Sequence, residues 1–485
     1  MEENKGQNAK ETTIVEESVV EEKNTNEVEI LSKEETKPMR NLSIGVVSLG
    51  CDKNRVDTET MLSMLLSDGY SYTSDPSEAN ILIINTCGFL KSARNEAYEI
   101  IEDMMTYRKS GKCVCMVVTG CIPQKYMNEV TGYFPDVDIF LGTNEYKDIC
   151  KILEKYIVTG EKIRKNDSPY NLHSVEQNRI ITTPNYYAFV KIADGCDKFC
   201  TYCTIPYIRG RYRSRKIENI VCETQSLVEN GVKEIILVAQ DIACYGVDLY
   251  NKKSLCDLLG KLVQIEKLKK IRLLYCYPEN IDEELLDFMI ENPKIYNYLD
   301  LPLQHVNDKI LKLMNRKSNK SQIVELINNI RKKDPEFAIR TTFMVGFPGE
   351  TEEQFKELLE FIKDFKLTNV GAFAYSKEEG TVAGRMENQV PEKIKRRRYK
   401  KLMKTQRKIV LSENKKKIGK TFEVLYEGIA NNNMHFGRAY FEAPEIDSLI
   451  YFTSDIDLEV GKYYNVTIKK IKGYDLIGVV SKNSR

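Results

Sequence analysis

Three cysteines in the run Asp194-Gly195-Cys196-Asp197-Lys198-Phe199-Cys200-Thr201-Tyr202-Cys203 stand at a C-x3-C-x2-C spacing, directly after an apolar, β-rich stretch from Tyr187 to Ile192. That spacing lets three thiolates reach three irons of one cubane iron–sulfur cluster. The fourth iron then has no protein ligand, and an open metal position is where a substrate binds. A zinc loop or packed core thiols fit the same spacing. A second trio has no local signature. Cys51, Cys87 and Cys121 lie 36 and 34 residues apart, each at the end of a strand candidate: Ile44 to Leu49, Ile81 to Ile84 and Val114 to Val118. A helical pattern follows each of them, from Val56 to Ser67 (closed by Gly69), from Lys91 to about Tyr107, and from Gln124 to Val130. Parallel pairing of such βα repeats brings the three strand ends to one edge of a sheet, where ligands gather in open α/β folds. The trio therefore predicts a second three-thiolate site, against the alternative of three unrelated buried cysteines.

The rest of the chain must position these two trios. At 485 residues, with 42% hydrophobic content, it is long enough for about three domains. Lys+Arg 72 against Asp+Glu 71 leaves a net charge of +1, so any anionic partner must be met locally. No apolar run approaches the length of a membrane span and the N-terminus is acidic, so no membrane association and a cytoplasmic location are expected. Thirteen cysteines without a secretion signal favour reduced thiols and metal ligation over disulfides. Cys113, Cys115, Cys150, Cys222, Cys244, Cys256 and Cys276 lie in or beside apolar segments and read as core.

Residues 1–40, with eleven Glu, six basic residues and no aromatic, read as a disordered acidic tail. The first cluster domain occupies 41–158, completed by a strand from Val137 to Leu141 and a helix from Glu145 to Tyr156; 159–184 reads as a linker. Residues 185–391 hold six βα units, an incomplete parallel barrel with its active edge at the C-terminal strand ends. Its strand candidates after Tyr187 to Ile192 are Glu234 to Ala239, Ile271 to Cys276, Tyr298 to Leu301, Ala338 to Val345 and Val370 to Tyr375. Loop cues fall at those ends: Gln240-Asp241, Gln304-His305 and Gly346-Phe347-Pro348-Gly349-Glu350. Gly346 and Gly349 either admit a nucleoside close to the backbone or open a turn before a helix capped by Thr351 or Glu350. Arg209, Arg211, Arg213 and Arg215 suit a carboxylate or a solvated basic face. Residues 392–418 form a basic helical stretch, fit to contact RNA phosphates or simply to connect. Residues 419–485 carry five short strand candidates, an OB-like barrel. Its eight basic and nine acidic residues suit a protein surface better than nucleic acid.

Taken together, residues 41–485 resemble the radical S-adenosylmethionine methylthiotransferases: an N-terminal three-cysteine domain, a radical SAM (βα)6 partial TIM barrel with C-x3-C-x2-C, and a C-terminal TRAM barrel. Ser48-Leu49-Gly50-Cys51-Asp52-Lys53-Asn54-Arg55-Val56-Asp57 and Asn85-Thr86-Cys87-Gly88-Phe89 are similar to the family's first two motifs. Ala443-Pro444-Glu445-Ile446-Asp447 is similar to a segment of its ribosomal-protein branch that is not expected in the tRNA branch. Asp52 replaces a common Pro, and Ile242-Ala243 replaces Thr-Ser or similar. The resemblance implies two 4Fe-4S clusters, one on Cys196, Cys200 and Cys203 and one on Cys51, Cys87 and Cys121. It implies S-adenosyl-L-methionine as cofactor, cleaved to a radical at the first cluster, with sulfur held at the second. Tyr202 is expected to pack on the adenine, and Gln240, Gln304, Arg340 and Gly346 are expected to line the cofactor. The implied product is a methylthio group on an aspartate β-carbon of small-subunit ribosomal protein S12, free or on the small ribosomal subunit, with a separate electron donor and sulfur source. The rival readings are a tRNA adenosine methylthiotransferase and a non-catalytic iron–sulfur RNA-binding protein.

Overall fold

The structure is a computed structural model that describes residues 41–169, 179–430 and 433–480. The expected acidic tail and residues 170–178 of the expected linker lie outside the described residues. The chain divides into two compact units, up to Ile180 and from Ile181.

In the first unit the order is β1 (Ser43–Ser48), α1 (Asp52–Ser67), β2 (Ser71–Tyr72), β3 (Ile81–Thr86), α2 (Lys91–Ser110), β4 (Cys115–Gly120), α3 (Cys121–Tyr133), β5 (Ile139–Leu141), α4 (Ile149–Thr159) and β6 (Ile163–Lys165). The sheet runs β2-β1-β3-β4-β5-β6 with every pair parallel. β3 and β4 are buried at every residue, as central strands covered by helices on both faces must be. Sequence periodicity missed β2 and β6. β2 has two residues, and β6, inside the segment read as linker, has one apolar residue, too little for a hydrophobic pattern.

The second unit opens with the partial barrel. Its elements are β7 (Tyr187–Lys191), the short pair β8 (Ala193–Asp194) and β9 (Arg213–Ser214), α5 (Ile205–Arg209), α6 (Ile217–Glu229), β10 (Glu234–Val238), α7 (Val247–Tyr250), α8 (Leu255–Leu262), β11 (Lys270–Leu273), α9 (Glu283–Glu291), β12 (Ile295–Asp300), α10 (Asp308–Leu313), α11 (Lys320–Lys333), β13 (Ala338–Val345), α12 (Glu352–Phe365) and β14 (Asn369–Ala374). Six strands pair in parallel in chain order from β7 through β10 to β14, the layout of six βα units. β11 stops at Leu273 rather than Cys276 because Tyr275 takes a φ of +62°, which breaks the extended run. Helix α13 (Glu392–Lys415) leads to the last barrel, β15 (Thr421–Ile429), β16 (His435–Arg438), β17 (Ile450–Thr453), β18 (Tyr463–Lys472) and β19 (Asp475–Val480). These close in the order β15-β16-β17-β19-β18, an OB-like five-stranded barrel. All thirteen thiols are free, but the assignment of seven to the core needs a correction. Cys113, Cys115 and Cys276 are buried and Cys150, Cys244 and Cys256 half-buried, whereas Cys222 is exposed on the outer face of α6.

Candidate metal centres

The trio Cys51, Cys87 and Cys121 of the first unit meets at one sheet edge. Cys51 follows β1 after Leu49 and Gly50, Cys87 follows β3 directly, and Cys121 opens α3 after β4. The parallel register pairs Ser48 with Asn85 and Thr86 with Gly120, so the three strand ends are level. Gly50 has a φ of +93°, and a Cβ there would stand 2.5 Å from Cys87 Cβ and 2.9 Å from its Sγ. A Cβ on Gly88 would stand 3.2 Å from the carbonyl carbon of Cys121. Asn54, fully buried in the first turn of α1, ties the turns together: its Nδ2 donates to Leu49 O and Thr86 O, both at 3.0 Å. Its Oδ1 accepts from Cys121 Sγ at 3.8 Å. The switch point of this sheet lies between β1 and β3, where open α/β folds place their ligands. Gly50→Ala combines a clash with Cys87 and a left-handed residue, and is expected to destabilise the first unit by more than about 1 kcal/mol. The measurable result is loss of one cluster's iron on reconstitution, with the iron held by the other trio retained.

The trio Cys196, Cys200 and Cys203 lies in the loop after β7. Cys196 N donates to Gly210 O at 3.1 Å, Cys203 N to Cys200 O at 2.9 Å, and Ile205 N to Cys203 Sγ at 3.4 Å. Cys196 and Cys200 are 6% and 5% exposed. Burial, with Cys200 and Asp241 nearby, pushes the Cys196 thiol up to about 12, so metal binding there must displace a tightly held proton. Among the described residues no three His, Cys, Asp or Glu side chains are gathered to hold a single ion. A cubane spreads its ligands over separate irons, and soft thiols in threes are its donor set.

Around this loop the barrel supplies polar groups with no partner. Gln240 Oε1, Gln304 Oε1 and Arg316 Nε are buried and make no hydrogen bond. Buried polar atoms are normally paired, so three orphans at or near the C-terminal strand ends leave hydrogen-bonding capacity that suits a polar molecule. The residues present therefore fit a cluster with a polar cofactor beside it. Gln240 is aimed by its own Nε2, which donates to Asp194 Oδ1 at 3.0 Å. Gln304 has a φ of +68° and is pinned by Met344 N donating to its carbonyl at 2.7 Å. The Tyr202 ring packs edge-on against Phe347 at 6.4 Å, beside Ile310, Met314 and Met344.

Two further expected cofactor contacts, Arg340 and Gly346, also have neighbours within the chain. The Arg340 guanidinium lies 3.3 Å from Asp300 and 3.4 Å from Asp447, the aspartate of the Ala443-to-Asp447 segment of the last barrel. Gly346 backs onto the aliphatic stem of Lys395, and its N–H donates to Glu350, so this glycine serves the turn that precedes α12. Thr351 caps that helix in a capping box with Gln354. The arginines after the loop also have internal partners: Arg209 on Asp194 (3.1 Å), Arg211 on Asp197 (2.8 Å) and Arg215 on Glu223 (2.6 Å). Burial would raise the Asp194 carboxyl, but Lys191, Arg209 and Arg213 hold it well below the usual range. His305 is pushed down to about 3 by burial, and its Nδ1 accepts from Asn307 N at 3.0 Å, so it is a neutral structural residue.

Sequence reasoning missed Arg316 and Tyr277. The Arg316 guanidinium stacks 4.0 Å above the Tyr277 ring, and its Nη1 lies 4.0 Å from Cys200 Sγ. Tyr277 OH is 3.9 Å from the same sulfur. These residues follow α10 and β11, far from the cysteines in sequence, and only barrel topology brings them together.

Three segments match known families: residues 190–362 the Radical SAM superfamily, residues 43–142 the Uncharacterized protein family UPF0004, and residues 418–480 the TRAM domain. The backbone resembles the radical S-adenosylmethionine methyltransferase TsrM from Kitasatospora setae, with a TM-score of 0.54 at 16% identity over 71% of this chain and 77% of that one, a likeness of fold alone. The chain is 46% identical to the ribosomal protein uS12 methylthiotransferase RimO of Clostridium botulinum, over 91% of its own length and 99% of the relative's. With the RimO of Clostridium tetani the identity is 47%, over 92% of this chain and all of that one. Similarity at that level over both three-cysteine sites and both barrels places the chain in the RimO family of radical S-adenosylmethionine methylthiotransferases.

Proposed function

We propose that this protein inserts a methylthio group at the β-carbon of an aspartate in ribosomal protein uS12, acting in the cytoplasm. The observation that carries the reading is near-full-length similarity to uS12 methylthiotransferases, in a chain whose two cysteine trios lie on separate compact units. Cys196, Cys200 and Cys203 are the residues that would hold one 4Fe-4S cluster, and Cys51, Cys87 and Cys121 the other. When bound, the clusters and S-adenosylmethionine supply the hydrogen abstraction, the sulfur and the methyl group, none of which a side-chain acid or base can provide. The chain binds and orients. The amide oxygens of Gln240 and Gln304 and Nε of Arg316 offer one acceptor or donor each to the cofactor, and Tyr202 offers an apolar wall. Asn54 fixes the turns that carry Cys51, Cys87 and Cys121. The electron donor and the sulfur source are separate partners.

The test uses anaerobically reconstituted protein with reductant, sulfide and S-adenosylmethionine, offered purified uS12 in one reaction and, in another, tRNA that carries the modified adenosine but lacks only its methylthio group. Methylthiolation of uS12 alone is the expected result. Methylthioadenosine in tRNA with unmodified uS12 would assign the chain to the tRNA branch, and no 5′-deoxyadenosine in either reaction would remove the enzyme reading.

A further inference from the structure

We propose that the solvent side of α13, continued by the β18–β19 hairpin, is a track for the phosphate backbone of RNA. Helix α13 carries eleven basic and two acidic residues, in a chain whose net charge is only +1. Its inner side is fixed by packing: Lys395, Arg398, Leu402, Gln406, Val410 and Asn414, at spacings of three and four, are buried. That register leaves Lys393, Arg396, Lys400, Lys404, Arg407 and Lys408 exposed along the opposite side, a stripe about 22 Å long at helical rise.

The stripe is not neutralised locally. Arg396 pairs with Glu392 at 3.4 Å. The other five have no carboxylate within ion-pair range among the described residues. At its N-terminal end Lys393, Arg396, Arg397 and Lys400, with Glu392, line an open depression of about 600 Å³. At its C-terminal end Asn414 Nδ2 donates to Tyr474 O at 3.0 Å and so docks the tip of the β18–β19 hairpin. Lys469, Lys470 and Lys472 are exposed on that hairpin and extend the positive surface. Tyr399 and Tyr474, 38% and 40% exposed, are near one another and Arg407 within this surface. Exposed aromatic rings among unpaired cations are the components of a backbone-tracking site on which bases also stack.

An anionic membrane would satisfy the same cations, but a membrane-bound helix needs an unpartnered apolar face. The apolar side of α13 is spent against the protein: Leu402 is 0% and Val410 5% exposed. RNA therefore fits the surface better. The positive field thus lies on the helix and hairpin, while the last barrel as a whole stays near neutral. RNA binding here is independent of uS12 being the substrate and is read as binding rather than catalysis.

The test compares the reconstituted full chain with a variant combining Lys393→Gln, Lys400→Gln, Lys404→Gln, Arg407→Gln and Lys408→Gln. The probe is a labelled transcript of small-subunit ribosomal RNA, titrated across a salt series. The variant is expected to bind at least about tenfold more weakly at physiological salt, and the slope of log affinity against log salt should shrink by about 3.5–4.5, at roughly 0.7–0.9 per lost phosphate contact. A control neutralising Lys109, Lys112, Lys151, Lys155 and Lys162, all exposed in the first unit, should retain wild-type binding. Unchanged affinity in the stripe variant, or equal loss in the control, would overturn the proposal. So would binding to phosphatidylglycerol–phosphatidylcholine vesicles that matches the RNA affinity and is lost in the same variant. Circular dichroism of both variants checks that the fold is retained, which surface substitutions of this kind should not alter.

Discussion

Cys200→Ala is expected to reduce reductive cleavage of S-adenosylmethionine to background, while Cys87→Ala keeps most of that cleavage and loses methylthiolation of uS12. The asymmetry follows from where the two thiols lie. Cys200 is 5% exposed, with the Tyr277 hydroxyl and the Arg316 guanidinium within 4.0 Å of its sulfur, in the loop flanked by the unpartnered groups of Gln240, Gln304 and Arg316. Removing it deprives the cluster of one of three ligands at the place where the cofactor is to be bound. Cys87 belongs to the other compact unit, on a sheet of its own, so its loss leaves the cofactor-binding loop intact. Both variants should lose one cluster's iron, which separates a ligand effect from misfolding. Equal loss of 5′-deoxyadenosine formation in the two would contradict the division of labour.

The largest stability effect is expected from the ionic network between the partial barrel and the terminal barrel. Arg438 of β16 is 1% exposed and pairs with Glu234 of β10 at 2.9 Å and Glu427 of β15 at 2.8 Å. Arg272 of β11, fully buried, pairs with Glu234 at 2.8 Å and donates to Tyr440 O at 2.6 Å. Two guanidiniums and two carboxylates, all buried, thus compensate one another. Arg438→Met leaves two buried carboxylates facing one arginine, at an expected cost of about 3–5 kcal/mol, read as a lowered denaturation midpoint of the second unit. Its pH dependence has a definite sign. Burial would raise the Glu234 carboxyl, but Arg438 and Arg272 hold it below its ordinary value of 4.5. The contribution of the ionised group is then complete above pH 4.5 and is lost as pH falls through the lower folded value. The gap between wild type and variant should therefore narrow in acid. A gap that stayed constant or widened would show that packing rather than charge carries the effect.

How far the sequence reveals this molecule differs from element to element. The cysteine trio of the first unit was readable because an apolar run ending in cysteine recurs at a βα interval, and the parallel register then brings the ends level. The order of the six barrel strands follows from the same logic, since short crossovers place consecutive strands side by side. Arg316 and Tyr277 were not readable, because each comes from a different βα loop and neither has a spacing motif. Arg340 is legible in the sequence only as a cation on a barrel strand; its approach to Asp447, 107 positions further along the chain, is not. The same holds for Glu234, Arg272 and Arg438, which in the sequence are ordinary charged strand residues. Gly346 fits either a close nucleoside approach or a turn, and the stem of Lys395 behind it favours the turn.

The most direct measurement is mass spectrometry of uS12 and of digested tRNA from cells lacking this gene, with the gene or its Cys87→Ala form restored. The uS12 assignment predicts uS12 without its methylthio group in the deletion, recovery with the wild-type gene, no recovery with Cys87→Ala, and unchanged methylthioadenosine in tRNA throughout. Loss of the tRNA modification with uS12 still methylthiolated would contradict it.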